Sequence, residues 1–204
     1  MEPAIAVHVV DDDDAVRDSL QFLLHASGFV VSTYPRAEAL LAVAGAVAGC
    51  VLTDVRMPSM NGLDLQVRLN ALGSRLPVIV MTGQAEIPVA VRAMKAGAVD
   101  FLVKPIDEGM LVAAVRRALE LGRRSRQAQA ASAAATARLA ELTPREREVM
   151  DLLVAGLSNK AIAGELGASP RTVEVHRARV MEKLDVHSLP ELVRLVLAAG
   201  ESQP

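Results

Sequence analysis

One cysteine, four aromatic side chains and no tryptophan stand in a chain of 204 residues. A single thiol, Cys50, can neither close an intrachain disulfide nor build a metal site by itself. It sits directly before Val51 and Leu52 at the end of an apolar run, which marks it as a buried structural thiol, and nothing asks for an oxidising compartment. With so few aromatics the cores must be built from Ala, Val, Leu, Ile and Met. Side chains this small suit helices packed closely on a parallel sheet. Long hydrophobic runs are missing too. The longest uncharged apolar stretch, residues 39–52, falls short of the ~20 residues a membrane helix needs, and Gly45 and Gly49 interrupt it. The N-terminal apolar run, residues 5–10, passes straight into Asp11–Asp14, the wrong flank for signal cleavage or insertion. The expectation is a cytoplasmic protein with no membrane partner.

The formal net charge of −2 hides an asymmetry. Residues 1–121 carry 10 Lys/Arg against 14 Asp/Glu, and residues 122–204 carry 12 against 10. An acidic first part and a mildly basic second part fit a cation-binding half and a nucleic-acid-binding half.

The first 121 residues alternate short β-rich apolar runs with helical patterns. Strands are expected at Ile5–Val10, Phe29–Thr33, Cys50–Asp54, Pro77–Thr82 and Val99–Val103. Helical spacing fills the gaps, as in Val16, Leu20, Leu23 and Leu24, with Gly28 where a helix C-terminal cap belongs. Five such units in 1–121 predict a flavodoxin-like α/β domain with a parallel sheet in the order 2-1-3-4-5. Residues 122–140 are rich in Ala, Arg, Gln and Ser. They read as a linker, either a helical, semi-rigid spacer continuing the preceding helix or a flexible tether. Residues 141–204 show no strand alternation and predict an all-α domain of four helices: Pro144–Ala155, Asn159–Leu166, Pro170–Leu184 and Leu189–Ala199. Thr143 and Glu146 make a capping box with Pro144 at the first helical position, and Ser158 and Ser169 cap the next two helices. Short helices joined by Gly-containing turns describe a helix-turn-helix unit.

In a doubly wound sheet, functional groups gather at the carboxyl ends of the strands. Asp11 and Asp12 follow the first strand and Asp54 ends the third, so three carboxylates are expected to converge. Their repulsion would be relieved by a hard divalent cation, Mg²⁺ where phosphate is also bound. One carboxylate is then free to attack phosphorus and form an aspartyl-phosphate. Thr82 closes the fourth strand with a hydroxyl, and Lys104 follows the fifth with a point positive charge for phosphoryl oxygens. Pro105 implies a constrained peptide, cis-compatible, that aims Lys104 inward. Asp13 and Asp14 read as solvated loop or helix-capping residues.

The strings VVDDDD, LTDVRMPSMNG, VIVMTG and AMKAGAVDFLVKPI resemble a response-regulator receiver over residues 5–121. The resemblance implies that Asp54 accepts phosphate from a partner histidine kinase. It implies that Asp12 and Asp54 ligate Mg²⁺, with Asp11 acting through water and the Arg56 backbone carbonyl as a further ligand, and that Lys104 contacts the phosphoryl group. Thr82 and Phe101 match the family's switch pair, and the read-out surface would include Val91, Lys95, Asp100 and Arg116, through which a homodimer is expected on phosphorylation.

Projection of the third helix of the last domain at about 100° per residue puts Val173, Val180 and Leu184 on one side. Arg171, Glu174, Val175, Ala178 and Glu182 fall opposite, with Arg177 and Arg179 on the flanks. In a major groove, Glu174 could accept from a cytosine amino group, Val175 and Ala178 could touch thymine methyls, and Arg171, Thr172, Arg177 and Arg179 suit phosphate or guanine. Lys160 would lie near the DNA backbone. The segment from Leu142 to Val186 resembles the LuxR-type helix-turn-helix, and with the receiver the chain is similar to the FixJ group of regulators. That resemblance implies double-stranded promoter DNA as a partner, with RNA polymerase as a further candidate. His176 reads as a packed or backbone-bonded side chain. A phosphatase with an aspartate nucleophile would need a second Asp two residues on; Arg56 stands there, so an enzyme with turnover is disfavoured. The intact set Asp12, Asp54, Thr82 and Lys104 argues against a degenerate receiver.

Overall fold

Five β-rich runs bury their side chains on alternate faces and so demand cover on both sides, which the intervening helices supply. A computed structural model of the chain describes residues 5–84 and 87–200. The strands are β1 (Ile5–Val10), β2 (Val31–Tyr34), β3 (Ala48–Asp54), β4 (Val78–Thr82) and β5 (Asp100–Val103). They pair in parallel in the expected order β2-β1-β3-β4-β5. The helices between them are α1 (Asp14–Ala26), α2 (Ala37–Leu41), α3 (Gly62–Ala71) and α4 (Ile87–Lys95), and α5 (Glu108–Ala140) follows β5.

Strand periodicity sorts the core. Val7, Val9, Cys50, Leu52, Ile79 and Met81 pack with Leu20 and Leu24 of α1 and with Leu111, Ala114, Val115 and Ala118 of α5. Val10, Val51, Val78 and Val80 pack on the other face with Leu40, Leu63, Leu65, Leu69 and Ala93. Cys50 is fully buried, as its apolar neighbours imply. Its neighbour Gly49 has φ +138°, and a Cβ there would lie 1.7 Å from the Ala6 carbonyl oxygen, so only glycine lets β3 approach β1.

β2 starts two residues later than expected. The Gly28 N–H is bonded to His25 O and the Phe29 N–H to Leu24 O, closing α1, so Phe29 cannot yet join the ladder. α2 stops at Leu41 because the next amides, Val43 and Ala44, turn back three residues, to Leu40 and Leu41.

The chain falls into two compact units that divide between Arg126 and Gln127. The second is all helical: the end of α5, then α6 (Pro144–Val154), α7 (Asn159–Glu165), α8 (Pro170–Lys183) and α9 (Leu189–Gly200). The Thr143–Glu146 capping box forms, and Ser158 and Ser169 cap α7 and α8 through the Ala161 and Thr172 amides. Its core includes Val149, Met150, Leu153, Ile162, Val173, Val180, Leu184 and Leu192, joined by Ala135 and Leu139 from α5. Residues 122–140 are therefore helical to Ala140, and their last turns are packed into this core. Among the described residues no helix is long and apolar enough to cross a membrane.

Candidate functional site

Sheet register brings the polar residues to one edge. Val10 pairs with Thr53, Asp54 with Met81 and Thr82 with Val103. Asp11, Asp54, Thr82 and Lys104 thus emerge at the carboxyl ends of β1, β3, β4 and β5. Asp11 and Asp54 are buried, at 2% and 7% exposure. Asp11 Oδ1 accepts from the Asp13 amide (3.0 Å), and its carbonyl accepts from Arg17 Nη1 (2.7 Å). Asp13 caps α1 through the Ala15 and Val16 amides.

Lys104 Nζ lies 2.6 Å from Asp11 Oδ2 and 2.7 Å from Asp54 Oδ1. Burial alone would lower the lysine's pKa, but the hydrogen bonds and charges of Asp11 and Asp54 outweigh it and leave the pKa raised, so the ammonium is firmly charged. The Lys104 amide donates to Thr82 O (2.7 Å), and the Lys104–Pro105 peptide is cis. Thr82, 3% exposed, accepts at Oγ1 from the Gln84 amide (3.2 Å). The Arg56 amide donates to Asp54 Oδ2 (2.5 Å), and the Arg56 guanidinium reaches Gln84 Oε1. Phe101 is half-buried against the core on the α2–α3–α4 face.

Two of the three expected carboxylates, those of Asp11 and Asp54, converge on the Lys104 ammonium. Among the described residues no three His, Cys, Asp or Glu side chains are grouped as a metal cage. The Lys104 ammonium supplies counter-charge to Asp11 and Asp54. Asp12 is exposed and lines a hollow with Val55, Arg56, Met57, Pro58 and Asn61. The oxygen donors there, the Asp12 carboxylate, the Asn61 amide and peptide carbonyls, with Arg92 also at the rim and no His or Cys, fit a hard cation that keeps several of its waters.

Val91 and Lys95 are exposed on α4, and Arg116 is exposed on α5. Asp100, at the start of β5, is paired with Arg117 Nη2 (3.3 Å). Ile87 and Met94, 78% and 50% exposed, extend Val91 into an apolar stripe on α4. Their i, i+4, i+7 spacing was the available signal for them.

In the second unit α8 turns Val173, Val180 and Leu184 inward, all at most 1% exposed. Arg171, Thr172, Glu174, Val175, Ala178 and Arg179 are exposed, as is Lys160 on α7. Thr172 is also engaged locally, its hydroxyl 2.8 Å from Ser169 Oγ. Arg177 is half-buried and donates from Nη1 to Asn159 Oδ1 (3.3 Å). His176 is half-buried, its Nδ1 buried without a hydrogen-bond partner among the described residues. Glu146 does more than cap: Oε2 accepts from the Thr143 amide (2.9 Å), the Thr143 hydroxyl (2.9 Å) and Lys183 Nζ (2.7 Å). The Lys183 bond first, then the Thr143 amide, hold the carboxyl down to about 2.

Comparison with known proteins places these two constellations. Residues 7–116 match the response regulator receiver domain, and residues 140–196 match the bacterial regulatory proteins of the luxR family. The transcriptional regulatory protein FixJ of Azorhizobium caulinodans is 51% identical over 201 residues, covering 98% of this chain and 95% of that protein. The solved response regulator StyR superposes with a TM-score of 0.84 at 43% identity, over 95% of this chain and 98% of StyR. Full-length FixJ from B. japonicum gives a TM-score of 0.59 at 46% identity, over 98% of this chain and 100% of that one.

Proposed function

Because the chain belongs to the FixJ-like response regulators, transcription regulators with a receiver domain followed by a luxR-type DNA-binding domain, we propose that Asp54 is its phosphoacceptor and that a histidine kinase is the donor. Functionally, residues 1–121 act as receiver, 122–140 as the helical connection and 141–204 as the DNA-binding part.

The observation that carries this reading is the paired carboxylate–ammonium cluster at the strand ends: Lys104 Nζ within 2.7 Å of both Asp11 and Asp54. An Asp54 oxygen attacks phosphorus, the bond from phosphorus to the kinase histidine nitrogen breaks, and an acyl phosphate forms. Lys104 then turns its charge to the new phosphoryl oxygens. Asp12, Asp54 and the Arg56 carbonyl would hold Mg²⁺, with Asp11 acting through water; when bound, the ion neutralises charge on the transferring group. Water later attacks the acyl phosphate, inorganic phosphate leaves and the Asp54 carboxylate is regenerated.

Thr82 leaves the Gln84 amide for a phosphoryl oxygen, and Phe101 follows into the space it vacates. That is a shift between two conformers, weighted by the new charge. The surface bearing Val91, Lys95, Asp100 and Arg116 then pairs two copies. With a mildly basic second part, one copy has few phosphate contacts, and two linked copies gain through effective concentration. Lys160, Arg171, Thr172, Glu174, Val175, Arg177, Ala178 and Arg179 form the DNA-facing set. The chain acts in the cytoplasm on promoter DNA, with RNA polymerase as a further partner.

The test is Asp54→Asn in the full chain with a small phosphodonor and Mg²⁺. The variant should lose acid-labile phosphate, remain monomeric by light scattering and show no donor-dependent gain in DNA binding. Retained labelling would move the acceptor elsewhere.

A further inference from the structure

Nine Lys/Arg follow Gln127, and their surroundings divide them sharply. Arg138 donates to Asp185 O, Arg145 to Leu166 O and Glu148, Arg147 to Leu139 O, and Lys183 to Glu146 and Glu141 O. These four hold helix ends and loops of the unit together. Lys160, Arg171 and Arg179 are exposed and have no hydrogen bond or ion pair among the described residues. Arg194 is exposed on α9, where its charge acts on Glu191.

Arg177 falls with the first group. It is half-buried and bonded to Asn159, the first residue of α7. At about 100° per residue, the centre of the exposed α8 face lies near Arg171, Ala178 and Glu182. Arg177 is roughly 120° from that centre, next to Val173 and Leu184, whereas Arg179 is roughly 80° away on the open side.

We infer that Arg177 is a positioning residue: through Asn159 it fixes the angle of α8 to α7 and touches no phosphate, while Lys160, Arg171 and Arg179 supply the phosphate contacts of each second unit. This rests on the DNA-binding reading above. It refines that reading by removing one residue from the contact set and adding Asn159 as its support. Three contacts per unit, six in a dimer, give a slope of log affinity against log salt of about −5.

The test uses the full-length chain with phosphodonor and Mg²⁺, on a duplex selected by the wild type from a randomised pool. Affinity is measured between 50 and 200 mM salt, well below the melting temperature. Arg179→Met should flatten the slope by about 0.9 per protomer. Arg177→Met and Asn159→Ala should each weaken binding by about 3- to 10-fold with the slope unchanged. The double variant should be no weaker than either single one, since both remove the same bond. Arg177→Lys, which can still donate to Asn159, should keep most of the affinity.

A slope change in Arg177→Met equal to that in Arg179→Met overturns the inference, as do additive losses in the double variant. A wild type that selects no duplex overturns the DNA-binding reading itself, an outcome distinct from either. Should Arg177→Met fold poorly, Asn159→Ala carries the same comparison, because it leaves every charge in place.

Discussion

Gly62 is where a single methyl group should reach the phosphoacceptor. It opens α3, is buried, and packs its Cα against the end of β3. A Cβ there would lie 2.2 Å from the Asp54 carbonyl oxygen and 3.0 Å from Thr53 Oγ1. A comfortable carbon–oxygen approach is about 3.3 Å, so backbone must yield by about 1 Å. The nearest obstacle is main chain, the Asp54 carbonyl, with the short Thr53 hydroxyl as the second, so the cost should be that of overpacking, about 1–3 kcal/mol. The displaced peptide is the one that carries the Asp54 side chain. A misplacement of about 1 Å at a reacting group can cost on the order of 10²-fold in rate. Gly62→Ala should therefore lose both stability and phosphorylation rate. Tyr34, the only tyrosine in a chain without tryptophan, gives a fluorescence signal confined to the first unit. Urea titration on that signal reads the stability, and single-turnover labelling with a small phosphodonor reads the rate. Gly45→Ala is the control, because nothing lies within 4 Å of its Cβ, and it should leave both unchanged. A Gly62→Ala protein with the wild-type midpoint and labelling rate would refute the close approach of α3 to β3 and the placement of Asp54 built on it.

Other consequences are simpler to state. Glu146 has a folded pKa of about 2, below its ordinary 4.5; its stabilisation of the second unit is full above about pH 4.5 and is lost as the pH falls toward 2. Thermal unfolding followed through that window should lose part of its pH dependence in Glu146→Gln, and an unchanged profile would sink the assignment. Glu120, also held near 2 by Arg123 and Arg124, lies on an exposed helix face, so its share should vanish in high salt while that of Glu146 persists. Burial pushes the Cys50 thiol up to about 12, so the native protein should resist a thiol reagent and react only as it unfolds; rapid stoichiometric labelling of native protein would contradict its place in the core. Val175→Lys should change the sequences chosen from a randomised duplex pool more than it changes the melting temperature, and an unaltered choice would count against α8 as the reading helix.

The sheet and its order were legible because each strand writes its burial into a short run of residues. Cys50 and Leu52 face one core and Val51 the other, a period of two that needs no partner to be recognised. The caps Thr143, Ser158 and Ser169 were legible for the same reason: each acts on the amide three residues on. What could not be read were contacts between residues far apart in sequence whose geometry depends on side-chain reach. The strand ends gather Asp11, Asp54 and Lys104, but their order along the chain does not say which carboxylate the lysine meets. The structure adds a direct bond from Lys104, 93 residues away, to Asp11. The Ala-rich stretch 122–140 hid its second role for a different reason. Ala135 and Leu139 are one helical turn apart and signal an inward face, but two residues amid so many alanines give a weak period.

Charge was the least legible property. Twelve Lys/Arg after residue 121 can be counted from the sequence, yet a count says nothing about which guanidiniums are already occupied by carbonyls, carboxylates and amides of their own fold. Arg177 and Arg179 are two residues apart and chemically identical, and a charge count treats them alike. Burial on the packed flank of α8 and the bond to Asn159 set Arg177 apart. Binding strength at the DNA should accordingly follow the few unengaged cations and the pairing of two chains, not the net charge of the second unit. Adding an arginine on the packed flank of α8 would then change that net charge without steepening the salt dependence, whereas adding one beside Arg171 on the open face would steepen it by about 0.9 per protomer.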